Sequence, residues 1–285
     1  MWSTLTDRML ISGFGRDSAI IALGGGVVGD LAGFVAATFM RGIPVVQIPT
    51  TLLAMIDASI GGKTGIDTPA GKNLVGAFHH PAGVVIDPQV LATLPLKEFR
   101  AGIAELIKYG VIADQTYFGE VAAALPELLS KDGRDGDRLR SIIVRSIEIK
   151  TEIVSRDERE EGLRKVLNFG HTIGHAIEVV SGYSLLHGEA VAIGMVLEST
   201  AAERIGVARS GTATEVIRVL DQAGLPTTLP SGCDLGAVVE AMRSDKKRRM
   251  EKTMFAFPLR IGAMAGKDSG WTVPVSDDQL REVLG

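Results

Sequence analysis

The sequence predicts an α/β protein in two parts: a truncated parallel sheet flanked by helices over residues 1–95, then a mainly α-helical part over residues 96–285. Three observations carry this. Up to Pro95, short apolar runs alternate with glycine-rich turns. Beyond it, helical periodicity takes over with little strand signal. Near the start, a strand, a glycine turn, a helix and a second strand follow one another as a βαβ unit, which requires a parallel sheet with helices on its faces.

Ser18–Leu23 (SAIIAL) reads as a buried parallel strand, Asp30–Met40 as the helix after it, and Ile43–Ile48 (IPVVQI) as a second strand stopped by Pro49. Val84–Ile86 is a third, so the sheet is thin. Helices are predicted over Glu98–Ile112, Tyr117–Leu129, Asp137–Ser155, His171–Val180, Gly188–Ile205, Glu215–Ala223 and Leu235–Arg243. The polar stretch SKDGRDGDR (130–138) reads as a loop. A short strand pair is expected near Thr253–Ile261 and Trp271–Val275, with a last helix from Asp277.

Composition narrows the class of function. The 285 residues are 46% hydrophobic with 34 glycines, the profile of a globular enzyme rather than a disordered chain. A net charge of −4 offers nothing to a nucleic-acid backbone, and the basic run Lys246–Arg249 is too short to change that. Cys233 is the single cysteine, so no intrachain disulfide forms and a reducing cytoplasm is the expected compartment. The most apolar stretch, residues 19–40, is broken by Asp30 and by glycines, so no membrane span is expected. The start lacks the basic region and apolar core of a signal peptide.

Gly24-Gly25-Gly26-Val27-Val28-Gly29 satisfies G-x-G-x-x-G between a strand and a helix. Such glycines let backbone N–H groups approach a pyrophosphate at a positive helix end, with Asp30 as a cap or a hydrogen-bonding group. They serve tight packing equally well, and the acidic ribose-binding residue usual about twenty positions on is absent from VQIPTT. In DASIGGKTGIDTPAGKN, residues Asp57, Lys63, Lys72 and Asn73 form either an anion cradle or a solvated loop.

Glu105, His171 and His187 are the ligand types of a catalytic zinc site with an open position. The chain has five histidines, and three fall within residues 171–187. His171 and His175 share a helical face, but no glutamate stands between them as in H-E-x-x-H. The pair alone is also compatible with two core histidines. His187-Gly188-Glu189 opens an apolar helix, where the dipole favours Glu189. Glu105, on an otherwise apolar helix, needs either Lys108 at i+3 or a metal. Arg156–Glu161 reads as a solvated charge run, flanked by Lys150, Arg164 and Asn168.

Together ALGGGVVGDLAGFVAATFMRG, IPTTLLAMIDASIGGKTGID, GKNLVGAF, LPLKEFRAGIAELIKYG, RKVLNFGHTIGHAIE and LHGEAVAIGM resemble the 3-dehydroquinate synthase family over essentially the whole chain. The resemblance implies a Rossmann-like NAD-binding domain (1–95) and a zinc- and substrate-binding domain (96–285). It implies Glu105, His171 and His187 as ligands of Zn2+, with Co2+ an alternative, and His175 as an acid/base group rather than a ligand. Gly26, Val27, Val28, Gly29, Asp30, Thr50, Thr51, Lys63, Lys72 and Thr93 would line the NAD site, Lys63 also reaching the substrate phosphate. Asp57, Asn73, Lys108, Lys150, Arg164 and Asn168 would hold the substrate, and Lys246 or Lys247 would close over its phosphate. Arg41 would reach the site of a second subunit, making a homodimer.

The implied substrate is 3-deoxy-D-arabino-heptulosonate 7-phosphate of the shikimate pathway. It would be oxidised transiently by NAD, lose phosphate, be re-reduced, open and close by an aldol step to 3-dehydroquinate. Family members normally carry a longer nucleotide domain before Ser18–Leu23, so a sheet short of strands is expected, with edges that favour aggregation. The competing readings are a cyclase of sedoheptulose 7-phosphate or glucose 6-phosphate, a metal-dependent polyol dehydrogenase, and an inactive remnant. Lys150, Arg164 and Asn168 look like the carboxylate-recognising set of the 3-dehydroquinate synthase family and favour that reading over these.

Overall fold

A computed structural model describes residues 1–68, 71–130, 132–134, 136–245 and 252–284, and the side chains of all of these except 72, 73, 132 and 243–245. The chain divides into two compact units, Met1–Pro95 with Arg134–Thr151, and Leu96–Gly133 with Glu152–Gly285.

The first unit begins with α1 (Trp2–Ile11), β1 (Ile20–Gly24), α2 (Gly26–Thr38) and β2 (Val45–Pro49). Trp2 fastens α1 to α2, its indole N–H donating to Thr38 Oγ1 at 2.8 Å and its ring lying 5.8 Å from that of Phe34. Ala36 and Phe39 then close against Ala22, Ile43 and Val45 as a small core under the sheet. Helix α2 starts at Gly26, four residues earlier than the sequence suggests. Gly25 takes the N-cap in extended backbone (φ −77°, ψ −174°), so the helix starts as soon as the strand ends. Asp30 therefore lies one turn inside α2 and does not cap it, contrary to that expectation.

β3 (Lys63–Thr68) and β4 (Gly71–Phe78) pair antiparallel from Lys63↔Phe78 to Thr68↔Gly71, where a loop was the simpler reading. Gly76 makes the pairing possible, since a Cβ there would stand 2.2 Å from the Thr64 carbonyl oxygen. With β5 (Gly83–Val84), the parallel sheet has the order β1-β2-β5.

The second unit opens with α3 (Leu96–Ala113) and α4 (Gln115–Leu128); α5 (Asp137–Arg156) belongs to the first unit as far as Thr151. After a 3-10 turn at Leu163–Asn168 come α6 (His171–Val180), α7 (His187–Arg204), α8 (Thr212–Gln222) and α9 (Leu235–Asp245). β6 (Lys252–Phe255), β7 (Pro258–Arg260), β8 (Ala263–Met264) and β9 (Val273–Ser276) make two antiparallel pairs, β6-β9 and β7-β8, before α10 (Asp277–Leu284). Phe255 and Phe257 stack at 5.0 Å and join Ile177, Val238, Val239 and Leu280 in the core.

Two close backbone approaches decide where the functional side chains fall. A Cβ on Gly188 of α7 would lie 2.0 Å from the Ala101 carbonyl oxygen of α3. A Cβ on Gly194 would lie 2.0 Å from the carbonyl oxygen of Gly170, the residue before α6. With side chains there, α3, α6 and α7 could not come together at backbone distance. No helix among the described residues is long and apolar enough to cross a membrane.

Candidate active site

The three-helix junction brings Glu105 of α3, His171 of α6 and His187 of α7 together. His171 Nε2 lies 3.5 Å and His187 Nε2 3.8 Å from Glu105 Oε1. Ligands on a tetrahedral zinc with bonds of about 2.0–2.1 Å stand roughly 3.3 Å apart, so this cluster closes onto an ion with little movement. The Glu105 carboxylate is fully buried, and among the described residues none gives either of its oxygens a hydrogen bond of normal geometry. Lys108 Nζ, itself 1% exposed, lies 2.5 Å from Oε2 as an ion pair, which leaves Oε1 facing the two imidazoles. A buried carboxylate oxygen without a donor, facing two histidine nitrogens, fits a divalent cation.

His171 is in the right state for it. His171 Nδ1 stands 3.1 Å from the Phe169 carbonyl oxygen, so an N–H there donates to the backbone and Nε2 is left as the ligand atom. Burial, then the charges of Lys108, His187 and His175, hold the His171 imidazole well below its usual pKa, so it is neutral at pH 7. His175 is exposed on the same face of α6. Its ring centroid is 5.4 Å from that of His171 and 5.9 Å from that of His187.

Two carboxylates that the sequence reading gave no role organise the surroundings. Glu198 of α7, fully buried, accepts from the N–H of Gly170 (2.8 Å) and Ile173 (3.0 Å). It thereby caps α6 across the helix pair, where Gly170 in left-handed backbone (φ 79°) has no side chain to do so. Asp157 holds the stretch before α6. Its Oδ2 accepts from Gly162 N–H (2.8 Å) and Arg164 N–H (2.9 Å), and its Oδ1 accepts from Glu161 N–H (3.0 Å). Burial opposes ionisation of Asp157, but these N–H groups outweigh it and hold the pKa below the usual value. Arg164, 2% exposed, donates to the Glu158 carbonyl at 2.5 Å, and Asn168 Nδ2 donates to Glu160 Oε1 at 2.5 Å. The run 156–161 is thus an ordered clamp on Arg164 and Asn168, not merely a solvated face.

In the first unit, the N-terminus of α2 carries no side-chain cap, and the residues after it are open, Val27 being 81% exposed. A Cβ at Gly25 would approach Thr51 Cγ2 to 3.2 Å and one at Gly26 would approach Ala58 to 3.3 Å, so the bare backbone forms a cradle that fits a phosphate-bearing cofactor. Gly29 also packs closely, its Cα facing Gln47, whose amide donates to the Gly29 carbonyl at 3.2 Å. Thr50 N–H donates to the Gly24 carbonyl at 2.9 Å. Lys63 begins β3, and Thr93 ends the 3-10 turn Pro88–Thr93.

Asp57 sits in a π turn, Ala54–Ala58, and accepts from Lys150 Nζ at both its carbonyl oxygen (2.5 Å) and Oδ1 (2.7 Å), across 93 residues. Arg41 is exposed in left-handed backbone (φ 69°). Lys246 and Lys247 lie outside the described residues, as do the side chains of Lys72 and Asn73 on β4.

Asp30 is raised to a pKa of about 7, first by burial, then by the charges of Asp57 and Asp67, with Lys150 opposing. The folded protein therefore holds this proton more tightly than the unfolded chain. Its contribution to stability is complete below the ordinary carboxylate pKa and is lost as pH rises to about 7. Asp30→Asn is expected to match the wild type in thermal midpoint near pH 4 and to exceed it increasingly towards pH 7. Parallel midpoint curves would contradict the assignment.

By fold the protein stands among the sugar phosphate cyclases. It superposes with a TM-score of 0.89 at 29% identity on 2-deoxy-scyllo-inosose synthase complexed with carbaglucose-6-phosphate, NAD+ and Co2+, covering 99% of this chain and 78% of that one. Against ValA (2-epi-5-epi-valiolone synthase) from Streptomyces hygroscopicus, with NAD+ and Zn2+ bound, the TM-score is 0.88 at 28% identity, covering 99% and 77%. Residues 1–101 match the 3-dehydroquinate synthase N-terminal family and residues 102–248 the 3-dehydroquinate synthase C-terminal family. The chain is 47% identical to the 3-dehydroquinate synthase of Nostoc punctiforme over 98% of its own length and 76% of that protein. It belongs to the 3-dehydroquinate synthase family.

Proposed function

We propose that the chain converts 3-deoxy-D-arabino-heptulosonate 7-phosphate to 3-dehydroquinate and phosphate. The observation that carries this is the junction of Glu105, His171 and His187 in a chain of this family. Gly26–Asp30, Thr50, Thr51, Lys63, Lys72 and Thr93 would hold NAD, and Glu105, His171 and His187 would hold zinc or cobalt. When bound, NAD supplies a reversible hydride acceptor and the metal a Lewis acid that acidifies an alcohol.

The protein's own groups do the rest. The exposed His175 ring moves protons at the substrate. Lys150, held by Asp57, and Arg164, held by Asp157 and Glu158, bind anionic groups with their geometry fixed in advance. Asn73, Asn168, Lys108 and Lys246 complete the substrate set, and a cytoplasmic homodimer with Arg41 at the partner's site belongs to the same reading.

The substrate assignment is tested with a panel. Phosphate release from the heptulosonate 7-phosphate, and not from sedoheptulose 7-phosphate or glucose 6-phosphate, is expected; the reverse preference would overturn it. In the same assay Asp157→Ala is expected to raise KM about tenfold, roughly 1.4 kcal/mol of lost preorganisation, with kcat little changed. An unaltered KM would remove Asp157 from substrate binding.

A further inference from the structure

We propose that Glu178 is a positioning residue for the metal centre, fixing the ring of His187 so that Nε2 faces Glu105. The inference rests on the ligand set proposed above and adds a residue to it. Glu178 is 2% exposed, in the seventh position after His171 on α6, so that His171, His175 and Glu178 form one stripe along that helix. The chain then reverses, with Tyr183 N–H donating to the Glu178 carbonyl at 2.8 Å, and returns His187 alongside the carboxylate.

The two nitrogens of His187 face two different carboxylates. Nδ1 lies 3.4 Å from Glu178 Oε1, and Nε2 lies 3.8 Å from Glu105 Oε1. With the Nδ1 proton directed to Glu178, Nε2 carries the lone pair and is left for the metal. His171 has the same division of labour, but a backbone carbonyl of Phe169 takes its Nδ1 side at 3.1 Å. His187 is the first residue of α7 and 29% exposed, with less packing around its ring than His171, so a fixed acceptor matters more there. A carboxylate behind a ligating imidazole fixes its tautomer and orientation and raises its basicity.

His175, Glu178 and His187 also lie close enough together to be ligands themselves, so the test separates positioning from ligation. The wild type, Glu178→Ala, Glu178→Gln and His187→Ala would be compared for Zn2+ affinity by competition with a chelator. The visible spectrum of each Co2+ form and the thermal midpoint of each metal-free form would be measured alongside. Glu178→Ala is expected to bind about 10–100-fold more weakly, and Glu178→Gln, whose amide oxygen still accepts the Nδ1 proton, to lose less than about tenfold. The Co2+ spectrum should keep its form. Should Glu178→Ala fail to fold, a loss of about three- to tenfold in Glu178→Gln supports the proposal and unchanged affinity overturns it.

Affinity in Glu178→Ala within twofold of wild type, with His187→Ala losing its metal, would overturn the positioning role alone. Equal loss in both Glu178 variants with an altered Co2+ spectrum would make Glu178 a ligand and also overturn it. Metal retained by His187→Ala would overturn the ligand set itself.

Discussion

His187→Ala is expected to strip the metal from the protein and lower turnover by about 10³-fold or more, since a Lewis acid supplies several kcal/mol and each 1.36 kcal/mol is tenfold in rate. The fold should survive. His187 is 29% exposed at the start of α7, so its truncation opens no cavity in the core. The choice of residue matters, because Glu105 is harder to probe cleanly. Removing Glu105 leaves Lys108 buried at 1% exposure without its counter-charge, a loss on the order of 3–5 kcal/mol that would confuse unfolding with metal loss. Metal content after dialysis, with far-ultraviolet circular dichroism as the fold control, reads the outcome. Full zinc retention would remove His187 from the ligand set.

Gly188→Ala is expected to destabilise the protein by about 3 kcal/mol and to weaken metal binding as well. In most helix interiors this change stabilises by up to about 1 kcal/mol through propensity. Here the added methyl would stand 2.0 Å from the Ala101 carbonyl oxygen and 2.6 Å from its Cα, and backbone atoms cannot rotate out of the way. Helix α7 must therefore withdraw from α3, taking His187 away from Glu105, which lies one turn beyond Ala101. Denaturant unfolding and a metal titration check both halves. A variant as stable as the wild type would show that the junction yields without strain.

The cluster of Glu105, His171 and His187 was legible in the sequence because its residue types are scarce: few histidines, and one carboxylate in an apolar helix. The helices were legible from their period, with His171–Val180 coinciding residue for residue. What escaped the reading depends on partners distant in sequence or on packing. Glu178, Glu198 and Asp157 look like ordinary helix or surface acids until the chain reversal at Tyr183, the orphan N–H groups at Gly170 and the turn at Gly162 are in place. The β3-β4 pair hid among glycines and lysines, which carry little strand preference. Periodicity defined α5, but it gave no sign that Lys150 would meet Asp57 or that residues up to Thr151 would group with the first unit. Asp30 was misplaced because a glycine at the N-cap lets α2 begin a turn early.

The most direct test of the central claim gives the purified chain zinc, NAD and 3-deoxy-D-arabino-heptulosonate 7-phosphate, and follows phosphate and NADH in one cuvette. The account predicts phosphate release without net NADH, abolished by a chelator and restored by zinc or cobalt. Net NADH without phosphate, or phosphate release indifferent to chelation, would contradict it.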